Sequence, residues 1–309
     1  MPEGDSLVRL AHRLRPVMQD QILQATDFRT PRLATTDLAG WQITQVIPTA
    51  KYLAMAVQAP TETDCAPTEL IVLSHLGMDG SWRIDTRPTH TTRCILHFDT
   101  RRVVGSSLAS LEVLAPEQAR EALAFLGPDL LAPDWHQPGT AGRLFAEVLT
   151  NIREAPDQPI GTALLDQRLV SGLGNIYRCE VLALARLNPF VRVSTLSDAQ
   201  LIGLLYLGRD LMLLNIPPRS TPHARRATVD VRPDPEAVFG VRIATPQEQA
   251  RSDADRSHRR GKHPAYWVYN RQREGCLRCG GPIYRDMLGV GHDRERRIFW
   301  CPACQAPNE

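Results

Sequence analysis

Lysine is nearly missing from this sequence, which supplies positive charge almost entirely as arginine. The 309 residues include 34 arginines but only two lysines, Lys51 and Lys262. Lysine is a compact point charge on phosphate and can lose its proton, and arginine does neither equally well. Each lysine is therefore a candidate for a specific role, although a solvated lysine at a strand edge would look the same in the sequence.

The sequence also lacks a long apolar run, a large net charge and an even number of cysteines. No segment is apolar enough to span a membrane, and no signal peptide is expected because the N-terminus turns polar at once. Seven cysteines argue against a secreted disulfide framework and indicate a reducing, cytoplasmic location. The net charge is only +2, but residues 251–309 hold 12 basic and 7 acidic residues. That basic end favours an anionic partner.

One helix and a series of short strands are predicted before residue 115. Apolar residues at Leu7, Leu10, Ala11 and Leu14 have helical spacing and predict a helix over Asp5–Met18. The predicted strands are Trp41–Ile47, Lys51–Val57, Leu70–Ser74, Ser81–Ile84, Arg93–Phe98 and Leu111–Leu114. Short strands at this spacing indicate a β-sandwich or a barrel.

Helices are predicted to dominate the middle of the chain. They cover Pro116–Phe125, Thr140–Ile152, Gly161–Val170, Asn175–Leu187 and Ser197–Asn215. Gly172 and Gly174 allow a tight turn, and Asn175 is a good N-cap for the helix after it. Such a helix–turn–helix could hold a phosphate at the helix N-terminus, or it could be a purely structural hairpin. Residues 217–262 have little periodicity and predict a long, flexible loop.

Two Cys-x-x-Cys pairs mark the C-terminal end. Cys276 and Cys279 are separated by 21 residues from Cys301 and Cys304. Four thiolates at this spacing predict one structural zinc ion in a closed tetrahedral site, without the open position that a catalytic zinc needs. Between the pairs, the stretch 291–300 predicts a β-hairpin with a basic tip, suited to a nucleic-acid groove.

The first residues have the chemistry of a covalent catalyst. If Met1 is removed, the nitrogen of Pro2 becomes a free secondary amine that can form a Schiff base. The partial positive charge of the following helix N-terminus would keep that amine neutral, and Glu3 would serve as acid or base. The alternative is that Glu3, Asp5 and Ser6 only cap the helix.

Four separated motifs, taken together, resemble one enzyme family. They are the Pro2-Glu3-Gly4 start, the strand lysine Lys51, the stretch Leu164–Gln167 through Gly172–Asn175, and the ribbon that ends in Phe299-Trp300-Cys301-Pro302. In this order they resemble the formamidopyrimidine-DNA glycosylase / endonuclease VIII family of bifunctional repair glycosylases. The Pro-Glu-Gly-Asp start is more similar to the endonuclease VIII branch.

The resemblance implies a role for each matched residue. Pro2 would be the nucleophile that attacks C1′ of the damaged nucleotide, Glu3 the acid that assists sugar-ring opening, and Lys51 the lysine that contacts the phosphate near the lesion. Asn175 and Arg296 would bind backbone phosphates. Met78 would fill the gap that the extruded base leaves, because the base must leave the stack before chemistry can reach it.

The same resemblance implies the fold and the function. We expect an α+β multidomain protein with an N-terminal helix and β-sandwich, a helical helix-two-turn-helix domain and a C-terminal zinc ribbon. The predicted parts are a catalytic domain over 1–132, a DNA-binding helical domain over 139–216, the loop over 217–262 and the ribbon over 263–309. One departure is Asn270, because the family's Tyr-Gly-Arg is here Tyr269-Asn270-Arg271.

The expected activity is base-excision repair. A monomer would excise oxidised bases, expected to be pyrimidines, from damaged duplex, bubble or single-stranded DNA and nick the strand by β,δ-elimination. Two alternatives stay open. One is a non-catalytic zinc-ribbon protein that recognises damaged or abasic DNA, and the other is the same enzyme class acting on oxidised purines.

Overall fold

The chain forms two compact units. The computed structural model describes residues 2–60, 68–136, 139–216, 230–257, 266–289 and 295–306. The first unit contains Met1–Phe125, and the second contains Leu126–Pro217 and His223–Glu309. The second unit therefore includes both the helical segment and the cysteine-rich end. Within the described ranges, no helix is long and apolar enough to cross a lipid bilayer.

The first unit consists of a long helix and two antiparallel four-stranded sheets. Helix α1 covers Gly4–Met18, a 3-10 turn covers Pro31–Leu33, and helix α2 covers Pro116–Leu123. The strands are β1 (Ala25–Phe28), β2 (Gln42–Thr49), β3 (Tyr52–Gln58), β4 (Glu69–His75), β5 (Ser81–Ile84), β6 (Thr92–His97), β7 (Arg102–Ser106) and β8 (Ser110–Leu114). One sheet has the order β2-β3-β4-β8 and the other β1-β6-β7-β5.

One hydrophobic core joins α1 to both sheets and confirms the predicted sandwich. Leu7 and Leu14 of α1 pack in the same cluster as Ile43 of the first sheet and Leu96 of the second. Each such leucine contributes about 1.5–3 kcal/mol by leaving water. The apolar spacing of α1 and the alternation along the strands both point the buried side chains at this core.

Two strands of the second sheet were not predicted. β1 is short, and β7 begins at the charged residue Arg102. β7 nevertheless lies inside the sheet between β6 and β5. Its Gly105 lies under the Trp82 ring, where an added Cβ would be 2.8 Å from a ring carbon. The apolar part of β7 is short and follows a charged residue, so the sequence pattern did not indicate a strand. The segment is a strand because it pairs with β6 and β5.

The second unit is mainly helical. Its helices are α3 (Thr140–Arg153), α4 (Ile160–Ala163), α5 (Asn175–Leu184), α6 (Asp198–Leu214) and α7 (Pro246–Ser257), with 3-10 turns at Pro133–His136 and Val193–Thr195. Its strands are β9 (Val231–Pro233), β10 (Val241–Ile243), β11 (Tyr284–Leu288) and β12 (Arg296–Trp300). The α6 N-terminus is capped by Ser197, whose side chain accepts a hydrogen bond from the Gln200 N–H.

The predicted helix over Gly161–Val170 was too long. Only Ile160–Ala163 is α-helical, and the chain then turns. The Asp166 carboxylate accepts the Arg168 N–H at 3.0 Å. A short acidic side chain that bonds the backbone locally competes with helix propagation.

A short segment that precedes the helices fixes the turn between α4 and α5. The Ser171 N–H donates to the Pro128 carbonyl at 3.0 Å, and the Leu130 N–H donates to the Ser171 carbonyl. A Cβ added at Gly127 would lie 2.6 Å from two backbone oxygens, so only glycine permits this approach. The turn that leads into Asn175 is thus held by backbone contacts from outside the helices.

The prediction of one flexible loop over 217–262 was wrong for residues 230–257, the part that the structure describes. These residues form the β9–β10 hairpin and α7. Ile243 joins the core around α6, and Arg242 makes two hydrogen bonds of 2.8 and 2.9 Å with Glu248. The segment is ordered by long-range packing, which its polar composition did not reveal. The rest of the predicted loop lies outside the described residues.

Candidate functional site

Glu3 is the first residue of interest at the N-terminus. It occupies the N-cap position of α1 in an extended conformation, but its side chain makes no capping hydrogen bond. Its carbonyl instead accepts the Ser6 N–H at 2.8 Å. The Glu3 side chain is fully buried, at 0 % exposure, directly after the half-buried Pro2. Capping of α1 therefore does not account for the burial of the Glu3 carboxylate next to Pro2.

The direction of α1 places Pro2 relative to the sheet. The Asp20 N–H, just after the helix, donates to the Ile43 carbonyl at 2.7 Å. Arg15, further back in the helix, donates through Nε to the Val46 carbonyl at 3.0 Å. Moving towards the start of α1 therefore means moving along β2 towards its turn with β3. The helix N-terminus points to the end of the sheet where Lys51 lies.

Lys51 lies in the two-residue turn between β2 and β3. Thr49 pairs with Tyr52 across this turn, and Ala50 has a positive φ of 51°. Lys51 is half-buried. The pKa of His75 at the end of β4 is lowered, chiefly by burial and then by the nearby Lys51 charge. The ammonium group of Lys51 thus lies close to the end of β4.

Met78 lies in the next turn at the same end of the sheet. Tyr52 pairs with His75 across β3 and β4, so the turn after His75 lies beside the Lys51 turn. Met78 is 68 % exposed, more than any other large apolar residue that the structure describes. An apolar side chain exposed to this extent in a turn suits insertion into another molecule.

In the second unit, Asn175 is held by a buried arginine. Asn175 is only 4 % exposed. Its Nδ2 donates to the Arg297 carbonyl at 2.9 Å, and its Oδ1 accepts from Arg178 at 2.5 Å. Arg178 also donates to the carbonyls of Gly161 and Leu288. The side chain of Asn175 therefore ties the turn before α5 to the β11–β12 ribbon.

Glu180 connects α5 by hydrogen bonds to the segment before the first cysteine pair. Its carboxylate accepts the N–H groups of Trp267, Val268 and Tyr269 at 2.6, 3.0 and 3.0 Å. Burial raises the pKa of Glu180, although these three donors act in the opposite direction. Asn270, next along the chain, has a φ of 56°. The departure from glycine there is tolerated because asparagine enters the left-handed region more readily than most residues.

Arg296 begins the second strand of the ribbon. It pairs with Leu288 across β11 and β12, and its side chain is exposed. The predicted basic tip, including Arg294, lies outside the described residues. Ile298 and Phe299 are buried below Arg296. The described part of the ribbon thus presents Arg296 outward from an apolar base, together with the exposed Arg285 and Arg297.

The four cysteines of the two pairs converge on one point. All four Sγ atoms lie within 4.8 Å of one another, and two of the distances are 4.0 Å (Cys276–Cys304) and 3.5 Å (Cys279–Cys301). Thiolates about 2.3 Å from a tetrahedral ion are about 3.8 Å apart. Burial and the neighbouring cysteines raise the pKa of Cys304 to about 12. A divalent cation bound among the four sulfur atoms would stabilise their thiolate forms, so the cluster suits a metal ion.

The structure thus groups the predicted site residues by unit. Pro2, Glu3, Lys51 and Met78 belong to the first unit, and Asn175, Arg296 and the cysteines to the second. Sequence reasoning missed His75, Arg178 and Glu180. A signal for the last two was present, since they are charged residues inside an otherwise apolar helical stretch and charge is rarely buried without a partner.

Two family models match the sequence. The formamidopyrimidine-DNA glycosylase N-terminal domain matches residues 1–119, and the formamidopyrimidine-DNA glycosylase H2TH domain matches residues 131–214. The probable endonuclease 8 2 of Streptomyces coelicolor is 34% identical over 99% of this chain and 94% of its own. A DNA-(apurinic or apyrimidinic site) lyase, Nei2, of Mycolicibacterium smegmatis is 33% identical over 99% of both chains.

Solved structures show the same fold. The formamidopyrimidine-DNA glycosylase of Lactococcus lactis, solved non-covalently bound to DNA that contains an AP site, has a TM-score of 0.69. The match covers 99% of this chain and 100% of that one at 19% identity. At that identity the likeness concerns the fold alone.

Proposed function

This chain belongs to the formamidopyrimidine-DNA glycosylase / endonuclease VIII family of DNA glycosylases and AP lyases, and we propose that it excises oxidised pyrimidines through Pro2. The observation that carries the proposal is the N-terminal arrangement. The fully buried Glu3 carboxylate makes no cap to α1 and directly follows Pro2. A buried carboxylate directly beside a potential amine nucleophile is the pairing that covalent catalysis needs.

Pro2 and Glu3 would act at the sugar of the damaged nucleotide. With Met1 removed, the Pro2 nitrogen donates its electron pair to C1′, and the base leaves with the electrons of its glycosidic bond. Glu3 gives a proton to the opening sugar ring, and the amine becomes an iminium ion. Loss of a C2′ proton expels the 3′ phosphate, and loss of a C4′ proton in a second elimination expels the 5′ phosphate. The base must first be rotated out of the duplex, because C1′ is inaccessible in the stack.

The other residues would hold the DNA. Lys51 and Arg296 would contact phosphates as cations, and Met78 would occupy the space of the extruded base. Asn175 would act at the phosphate backbone through the turn that it holds, since its own polar atoms already bond Arg178 and the ribbon. The partner is damaged DNA, bound by a monomer in the cytoplasm.

We assign the cysteine cluster one structural zinc ion. Four sulfur ligands leave no position for water, so the ion would stabilise the ribbon and take no part in the reaction. Metal analysis should find about one zinc per chain. Chelation should unfold the ribbon and remove DNA binding, because in small metal domains the binding energy is folding energy. A protein that binds DNA equally well after complete zinc removal would contradict this role.

A nicking assay tests the function and its rivals. Oligonucleotides that carry an oxidised pyrimidine, an oxidised purine or an abasic site would be incubated with the protein after Met1 removal. We expect cleavage at abasic sites and at pyrimidine lesions, leaving phosphate at both ends of the gap. Preferential purine excision would favour the second alternative, and tight binding without cleavage would favour a non-catalytic DNA-binding protein.

Replacing Arg296 should weaken binding without changing the chemistry. We expect Arg296→Ala to lower the affinity for all duplexes and to reduce the salt dependence of binding by about one phosphate contact. Titrations at several salt concentrations would measure both. Arg120→Ala is the control, because Arg120 is an exposed arginine paired with Glu117 on α2. An unchanged salt slope in Arg296→Ala would remove Arg296 from the interface.

A further inference from the structure

The turn Leu76–Gly80 is held at both of its ends by hydrogen bonds. The Gly80 N–H donates to the Leu76 carbonyl at 2.9 Å and closes the turn. The Gly77 N–H donates to Nδ1 of His75 at 3.1 Å. The His75 carbonyl accepts the Ala109 N–H at 2.9 Å. His75 thus bonds the turn through its ring and the neighbouring β8 edge through its backbone.

The backbone of this turn has little freedom. Gly77 has a φ of +64°, and a Cβ there would lie 2.9 Å from the Ala109 Cβ. A Cβ at Gly80 would lie 2.1 Å from the Leu76 carbonyl oxygen. Both positions require glycine, and glycine gives up more conformational entropy on folding than any other residue. The turn therefore depends on the few bonds that hold it.

His75 is itself well fixed. Its ring centroid is 4.8 Å from that of Tyr52, on the neighbouring strand β3. Burial first, and then the charge of Lys51, lowers the pKa of His75. At neutral pH the ring is therefore neutral. Only a neutral imidazole has the lone pair that the Gly77 N–H needs, because both nitrogens of the cation are donors.

We propose that His75 is a positioning residue that holds the Leu76–Gly80 turn, and with it Met78, in the conformation that enters the gap left by an extruded base. The anchoring of the turn by His75 is a property of the free protein. The entry of Met78 into the gap rests on the proposed function. Met78 is 68 % exposed at the tip of the turn, so its position is determined by the backbone that His75 anchors.

Hydrogen exchange of the Gly77 amide tests whether His75 holds the turn. His75→Leu keeps an apolar side chain of similar size but removes the acceptor. His75→Asn places Oδ1 near the position of Nδ1 and restores it. We expect exchange at Gly77 to be about fivefold to tenfold faster in His75→Leu, the effect of one lost hydrogen bond, and near the wild-type rate in His75→Asn. Unchanged exchange in a folded His75→Leu protein would overturn the proposal.

The discrimination between abasic and intact DNA tests whether the turn places Met78 in the gap. A fluorescent base analogue placed opposite an abasic site reports whether the duplex stack is invaded, and the ratio of affinities for abasic and intact duplex reports recognition. We expect His75→Leu to lose the fluorescence signal and to lower the ratio of affinities about tenfold. His75→Asn should retain most of the signal and most of the ratio. His97→Leu is the control, since His97 lies on β6 of the other sheet.

The outcomes distinguish the anchoring of the turn by His75 from the role of Met78 on DNA. Faster Gly77 exchange together with unchanged discrimination would overturn the link to Met78. Equal losses in His75→Leu and His75→Asn would overturn the acceptor role, because only the packing on Tyr52 would then matter. A wild-type protein that shows no preference for abasic DNA would contradict the proposed function, while the exchange result would still decide the role of His75 in the turn.

Discussion

Keeping Pro2 in a peptide bond should abolish the covalent chemistry. An N-terminal extension that is not removed turns the Pro2 nitrogen into an amide, which has no available electron pair for attack on C1′. We expect no borohydride-trapped adduct with DNA that contains an abasic site, and no lyase product above background. Affinity for the same DNA should change by less than about threefold, a difference under 1 kcal/mol.

The matched control uses the same extension with a protease site immediately before Pro2. Cleavage leaves Pro2 as the first residue and should restore trapping in full, which excludes misfolding of the extended protein. Pro2→Gly offers a second comparison, because its primary amine still forms a Schiff base but with different basicity. If the uncleaved protein traps DNA as well as the cleaved one, another amine is the nucleophile and the assignment of Pro2 fails.

Glu3→Gln should remove the proton transfer and leave the binding. The substitution keeps the volume of a fully buried side chain but cannot give or take a proton. General acid–base groups contribute about 10²-fold to 10⁴-fold, so we expect the single-turnover rate of strand cleavage at a base lesion to fall by that factor. Cleavage at a preformed abasic site should fall less, since the ring of an abasic sugar opens in water without the enzyme.

Asp5→Asn is the control for this variant. Asp5 is also a fully buried acid, two residues further along the same helix turn, and no step of the proposed chemistry uses it. We expect a rate within about tenfold of wild type, the cost of perturbing a buried polar contact. Equal losses in the two variants would mean that the buried acids stabilise the N-terminus and that Glu3 has no separate chemical role.

The fold was predictable where the signal is local. The periodicity of α1 is complete within one helix, and the two Cys-x-x-Cys pairs indicate a metal cluster whatever lies between them. Residues 230–257 were misjudged because their order comes from packing on α6, to which Ile243 contributes one buried side chain. β7 was missed for the same reason, since it is a strand only between β6 and β5.

The candidate site divides in the same way. Residue type and spacing alone identified the N-terminal Pro-Glu pair, the two scarce lysines, the two cysteine pairs and the family. The folded chain was needed to show that Asn175 bonds a ribbon carbonyl 122 residues away, and that the ring of His75 accepts an N–H from the turn that carries Met78. Those contacts depend on distance and orientation in space, because a hydrogen bond forms only where folding brings a donor to an acceptor.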